Sequence, residues 1–528
     1  MEVSLSGPKV IVAKLKDSKV KRLGFSTPEF GHNGSNFVDL GRKCRVNWVG
    51  SKANQVRLKA IRAEIAVEKN NAPFRKEKVQ SQTPVELLVG LPLDTVSNTN
   101  TINHEKAILA GLRALKLLGA YGVELPVFWT VVQPNSPDEF DWSAYLAVAD
   151  MARCAGLRLR VSLNLNGCHR PNVLLPGWVL QAAETDPDIL FKDKLGALHK
   201  DCLSFAVDKL PILQGRKPVE VFESLFRSFS STFKDYFGST ITEITVSLGA
   251  NGELRYPSFP PTTDSEFTGV GEFQCYDKYT LSQLKQAAES AGNPLWGLGG
   301  PHDAPKYDES PNNSNFFKDH GGSWNTPYGN FFLSWYSQQL LNHGDRLLSI
   351  ASNVFGDLPV QLSAKVPLLH HWHEMSSRPA ELTAGFYNSA GRDGYDAVTE
   401  MFAKYNCMMI IPGMDELGSN PESLLHQIKQ ACEKRGVQVS GENSALAKQG
   451  TDNFGKIKEN VQAGLKAFTY QRMGADFFSP EHWPLFREFV RGMERSQLDA
   501  DDLPEGNGGR VSLSADSEAG NNREMQAA

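Results

Sequence analysis

The chain has 528 residues, with 55 Lys and Arg against 60 Asp and Glu and a net charge of −5. Apolar residues make up 41%, which excludes global disorder, and the slightly acidic balance gives no reason to expect nucleic acid or an anionic membrane as a partner. No apolar run reaches the ~18–20 residues that a spanning helix needs, so no membrane partner is expected. Seven cysteines, odd in number and without CxxC spacing, argue against a disulfide framework or a zinc site and for a reducing compartment.

The first 62 residues hold 13 Lys and Arg against four acids, Glu2, Asp17, Glu29 and Asp39. A basic, Ser-bearing, acid-poor start reads as an organellar transit peptide, and a disordered basic tail shares that composition. The charged run "RAEIAVEKNNAPFRKEK" that follows reads as a solvated linker, so residues 1–83 are expected to be a plastid transit peptide and linker. At the other end "SADSEAGNNREMQAA" has no hydrophobic pattern, and residues 494–528 read as a disordered tail. The folded domain is expected over 84–493.

Within it, short β-branched runs alternate with amphipathic segments, as in repeated βα units. The strand candidates are Val85–Pro92, Gly122–Trp129, Leu157–Leu165, Ile241–Leu248, Val360–Leu369, Cys407–Ile411, Val437–Ser440 and Lys466–Gln471. Between them Ile108, Leu112, Leu115 and Leu118 recur at helical spacing, and "DWSAYLAVADMARCAG" and "PESLLHQIKQACEKRG" each end in a glycine stop. Eight such units predict an α/β fold, a (β/α)8 TIM barrel with long top-face loops; a doubly wound sheet is the competing architecture. The Gly-, Pro- and Asn-rich stretch from Phe259 to Phe332 is too long for a plain connection and is expected to be a functional or shape-giving excursion.

In a barrel, residues at the C-terminal ends of strands face the mouth. Here those are Glu253, the pair Lys365 and His370, Glu442 with Asn443, and Arg472. Two carboxylates among cationic and amide groups suit glycoside hydrolysis, one protonating the leaving oxygen and the other activating water. A strand-end Glu is also commonly an ion-pair partner, and Glu253 has Arg255 beside it. Three histidines in "HHWHE", His370, His371 and His373, look superficially like a metal cluster. On a strand His371 and His373 would share a face and His370 would point away, so no metal is expected.

The motifs "GELRYPSFP", "AELTAGFYN", "RDGY", "SGEN" and "FTYQRMG", in that order, with "GLPLDTV" at the first strand, make the chain similar to the plant β-amylases, glycoside hydrolase family 14. The likeness runs from about Val85 to about Met493. It implies a barrel enzyme that removes β-maltose from starch chains with inversion and needs no cofactor. It further implies that Glu253 stands at the general acid and Glu442 at the general base. Lys365, His370, Asn443 and Arg472 stand at substrate-contacting or neighbouring positions.

Other parts of the resemblance fail. "LPVFWT" places Pro126 where active members carry a sugar-gripping Asp, and proline offers neither a carboxylate nor an N–H. "SLNLNGCHRPN" replaces a glycine-rich lid, with Asn164 at its His and Pro171 stiffening what remains. Ile411, Pro412 and Gly413 stand where a Phe-Thr-Cys loop would supply a hydroxyl. "LHKDCL", Leu198 to Leu203, replaces an Arg-Asn-x-Glu-Tyr-Leu run, and His371 replaces a sugar-facing Trp. This pattern resembles the inactive plastid branch of the family, so a catalytically silent plastid stromal protein is expected, with α-glucan, starch or another starch-degrading enzyme as its partner. An active β-amylase and a scaffold that binds no carbohydrate are the competing readings.

Overall fold

The computed structural model describes residues 85–168, 173–259, 270–307, 309–415, 421–444, 453–462 and 464–495. The expected transit segment, the linker up to residue 83 and the tail from residue 496 lie outside them.

Eight parallel strands close into a barrel. They are β1 (Glu86–Gly90), β2 (Gly122–Phe128), β3 (Arg158–Asn164), β4 (Ile241–Val246), β5 (Gln361–Lys365), β6 (Met408–Ile411), β7 (Val439–Glu442) and β8 (Ala467–Tyr470). Closure is made by β1 against β8, with Glu86 opposite Ala467 and Val89 opposite Tyr470. Each expected strand is present, so the barrel stands and the doubly wound sheet falls. Two boundaries move. β5 stops at Lys365, four residues short of expectation, and β7 runs on to include Glu442.

Side chains alternate across each strand, and the two faces have opposite chemistry. Leu87, Val89, Val123, Leu159, Val161, Ile244, Met409, Val439 and Phe468 face outward into the apolar layer beneath the helices. Burying each such side chain contributes about 1.5–3 kcal/mol. Helices Glu105–Leu118 and Ser143–Ala155 supply the opposite wall, each closed by a left-handed glycine, Gly119 and Gly156, as the C-terminal stop requires.

The excursion after β4 is structured where described. It holds helix Lys278–Ser290, capped by Asp277 accepting from Thr280 N at 2.9 Å, and leads into the 29-residue helix Pro327–Phe355. An antiparallel pair, Leu190–Lys192 with Leu198–Leu203, stands apart from the barrel. The sequence had marked "LHKDCL" only as a lost motif, and it is one arm of this hairpin.

Candidate active site

The inward face of the barrel carries charge instead of the branched aliphatics usual in such cores. Glu124 on β2, Arg160 on β3, Glu243 on β4 and Glu442 on β7 are all buried, and Lys365 at the end of β5 is largely so. With Arg472, just past β8, three carboxylates meet three cations. Arg160 Nε lies 2.8 Å from Glu243 Oε1, and its guanidinium donates to Thr469 Oγ1 at 2.6 Å and Ser440 Oγ at 3.1 Å.

One layer higher, Lys365 Nζ donates to Glu442 Oε2 at 2.8 Å and stands 3.7 Å from Glu124 Oε1. Glu124 also accepts from Ser162 Oγ at 2.6 Å and Gln471 Nε2 at 2.7 Å, with Arg472 at 3.9 Å. Burial works against its charged form, but Lys365, Arg472 and these donors outweigh burial and hold its carboxyl well below the usual range. For Glu442 the balance is reversed. Burial pushes its pKa up and the nearby Glu124 charge adds to that, with Lys365 and Arg160 only partly offsetting them. Its second oxygen, Oε1, faces Arg160 at 3.7 Å and has no hydrogen-bond donor among the described residues. A buried carboxylate with one anchored oxygen and one open oxygen has the form of a base that can polarise a water.

Glu253 sits in a turn beyond β4 rather than on the strand end itself. The backbone of Glu253 bridges to Lys365, and Leu254 N donates to Lys365 O at 2.8 Å. The turn is held further by Tyr256, whose ring stacks on Tyr336 at 3.9 Å. A Cβ on Gly249 would lie 2.5 Å from Arg255 O and 2.7 Å from Glu253 O, so only glycine lets the turn fold back so closely. The Glu253 carboxylate accepts from Arg255 Nε at 2.7 Å and is partly exposed. Lys365 thus touches both glutamates, Glu253 through its backbone and Glu442 through its ammonium.

The remaining expected site residues divide. Asn443 is buried and locked to Gln471, donating to its carbonyl at 2.9 Å and accepting from its N–H at 2.6 Å. Arg472 donates to Leu91 O at 2.6 Å at the rim. His370 lies beyond β5, not on it, and its ring stacks on His371 at 4.4 Å. His373 is instead buried, 3.5 Å from Glu381 Oε2. The strand argument about these histidines therefore fails, because β5 ends before them and a turn spans 371–374. Among the described residues no group of three His, Cys, Asp or Glu side chains is placed to hold a metal.

Pro126 is buried on β2 two residues after Glu124, so alternation places it on the same lumen face. It is tolerated because β1 pairs β2 only as far as Glu124, leaving Pro126 with a single strand neighbour, β3. Ile411 turns away into the apolar layer. The base of the segment at the expected lid position is stapled: Asn166 Nδ2 donates to Gly249 O at 2.9 Å, and Cys168 and Val173 exchange backbone hydrogen bonds at 2.8 Å. Pro171 and its neighbours at 169–172 lie outside the described residues.

The sequence reading missed Glu124, Arg160 and Glu243. Their signal is there in retrospect. Glu124 and Glu243 are lone charges inside the strand runs "GVELPVF" and "ITEITV", and Arg160 stands with Arg158 in "RLRVSLN" between them, so adjacent strands carry opposite signs.

Residues 88–497 match the model of glycosyl hydrolase family 14. The chain is 48% identical over 522 residues to "Inactive beta-amylase 9" of Arabidopsis thaliana, covering 95% of each chain. It is 37% identical to "Beta-amylase 1, chloroplastic" of the same plant, covering 78% of this chain and 75% of that one. The crystal structure of the catalytic domain of beta-amylase from Paenibacillus polymyxa superposes with a TM-score of 0.63 at 25% identity, covering 77% of this chain and 98% of that one.

Proposed function

The chain belongs to glycosyl hydrolase family 14, and on that premise we propose that it is a catalytically silent β-amylase-like protein. In this reading Glu253 and Glu442 occupy the acid and base positions without productive turnover. Lys365, His370, Asn443 and Arg472 are what remains of the substrate contacts. The observation that carries the reading is Pro126, buried on the lumen face where the family resemblance calls for a sugar-gripping carboxylate.

The physical reason is orientation. A misplacement of ~1 Å costs about a hundredfold in rate, and each preorganised donor removed costs about 10²–10³. Pro126, the stapled segment at the expected lid position and Pro412 each take one such element away. The proton transfer that two carboxylates supply, ~10²–10⁴-fold, does not replace them. The 48% identity to a relative named inactive supports the same conclusion.

We place the protein in the plastid stroma, in starch degradation, on its basic acid-poor start and its similarity to relatives named chloroplastic. The domain division into 1–83, 84–493 and 494–528 belongs to the same proposal. Its role there is regulatory or glucan-associated, with α-glucan, starch or another starch-degrading enzyme as partner. The test is a time course of maltose release from gelatinised starch beside an active family member at equal concentration. Turnover at least ~10⁴-fold below that member is expected. Comparable turnover would overturn the proposal in favour of an active β-amylase, a reading that the retained pair Glu253 and Glu442 keeps specific.

A further inference from the structure

A second cleft has a volume of about 610 Å³, inside the ~300–1,000 Å³ range of ligand sites. None of its lining residues belongs to a barrel strand. One wall is the turn at 373–378, the facing wall is the loop at 388–393, and Gln427 of helix Pro421–Arg435 closes one side.

The floor is held rigid by interlocked amides. Gln427 Nε2 donates to Asn388 Oδ1 at 2.8 Å and Asn388 Nδ2 donates back to Gln427 Oε1 at 3.1 Å. Arg378 Nη1 donates to the same Gln427 oxygen at 3.0 Å, and Glu381, buried, accepts from Asn388 Nδ2 at 2.8 Å. On the rim the Arg392 guanidinium lies over the Tyr387 ring, 4.2 Å from its centroid, and donates to Asn330 Oδ1 at 3.1 Å. Ser389 lines the cleft, is 4% exposed, and its hydroxyl has no hydrogen-bond partner among the described residues.

The charges lining the cleft come in opposites, Arg378 and Arg392 with Glu374 and Asp393, so neither an anion nor a cation is drawn by a net field. The amides of Asn388 and Gln427 are spent on one another, and what the walls offer is the Ser376 and Ser389 hydroxyls, guanidinium edges and carboxylate edges, a mixed set of donors and acceptors. A row of sugar hydroxyls, each both donor and acceptor, is complementary to such a set. We propose that this cleft is a second binding site, for an uncharged oligosaccharide, independent of the barrel lumen. Its identity as an α-1,4-glucan rests on the functional reading above; the existence of the site does not. Such a site would hold the protein to a glucan chain even though the lumen has lost its grip on one.

The experiment is calorimetric titration of the full chain with maltoheptaose, and separately with cellohexaose. It uses three variants whose melting curves are first matched to the parent: Ser376→Trp and Arg392→Ala at the exposed cleft rim, and Arg472→Ala at the barrel mouth. Maltoheptaose binding is expected in the parent. It should weaken about tenfold or more in both cleft variants, the effect of losing a charged hydrogen bond or filling the space, and by less than that in Arg472→Ala, which reads the remaining lumen contacts. Binding of cellohexaose alone, abolished by the cleft variants, supports the site and removes its α-glucan identity. Binding lost only in Arg472→Ala overturns the cleft while leaving the family reading intact. Absence of binding by either sugar also overturns it, including the case in which the cleft serves a peptide.

Discussion

Lys365 is the hinge of the lumen's charge balance, and removing its ammonium is the sharpest test of how that balance is kept. Lys365→Met preserves the length of the side chain and deletes the charge. Glu442 then loses its 2.8 Å donor and Glu124 its cation at 3.7 Å. The nearest cations left are Arg160, 3.7 Å from Glu442, and Arg472, 3.9 Å from Glu124. Glu442 and Glu124 are 5% and 2% exposed, so water cannot take over the solvation. Removing one partner from a buried pair costs about 3–5 kcal/mol, and that is the expected loss, read from urea unfolding monitored by tryptophan fluorescence.

Glu442→Gln should cost less, about 1–3 kcal/mol, because Lys365 keeps Glu124. In the double variant neither charge is orphaned, so its loss should fall short of the two single losses combined by about 1–3 kcal/mol. The sign with pH follows from Glu442. Its folded pKa is raised, so the folded state favours the protonated acid, and the stability this gives is lost as pH rises through the raised value. The Lys365→Met deficit should therefore be smaller near pH 5 than near pH 8. A deficit below about 1 kcal/mol, as for an exposed pair, or additivity within about 0.5 kcal/mol, would refute the coupled network.

Glu124 has the opposite sign. Its pKa is lowered in the fold, so its contribution is present above its unfolded value and lost as pH falls towards the folded one. Melting temperature should thus drop less steeply from about pH 5 to about pH 3 in Glu124→Gln than in the parent. Arg255→Met removes the 2.7 Å partner of Glu253. The pair is partly exposed, so a loss of about 1–2 kcal/mol, between the surface and buried cases, is expected in thermal unfolding; no change would show that the turn alone positions Glu253. Gly90→Ala would put a methyl 2.6 Å from Gln471 Oε1 and 3.1 Å from Glu124 Oε2. An overpacking loss of about 1–3 kcal/mol is expected, with Gln471 displaced from Glu124 in a crystal structure of the variant.

The barrel was legible because outward-facing apolar residues mark each strand, aliphatic on most and Phe468 with Tyr470 on β8, and Gly119 and Gly156 end helices where the pattern says they should. Glu442, Lys365 and Arg472 were legible from position at the strand ends, whereas Glu253 lies in a turn beyond β4. The lumen was not legible. A charge such as Glu124 inside an apolar run reads locally as a solvent-facing residue, and only closure of β1 on β8 turns that face inward against Lys365 and Arg472. The histidine run was misread for a related reason: β5 ends at Lys365 with a last backbone bond from Val366 to Ile410, and nothing in "KVPLLHHWH" announces that pairing stops before the histidines. The cleft beside Gln427 was equally hidden, since Ser389, Asn388 and Arg378 meet only through the packing of separate loops.

The central claim is that Glu253 and Glu442 persist without turnover, and a direct comparison decides it. Maltose release from amylose is measured for the parent chain and for Glu253→Gln/Glu442→Gln under identical conditions, over hours and at micromolar protein. Two indistinguishable traces are expected. A parent faster than the double variant by about a hundredfold or more, the scale of working acid–base catalysis, would contradict it.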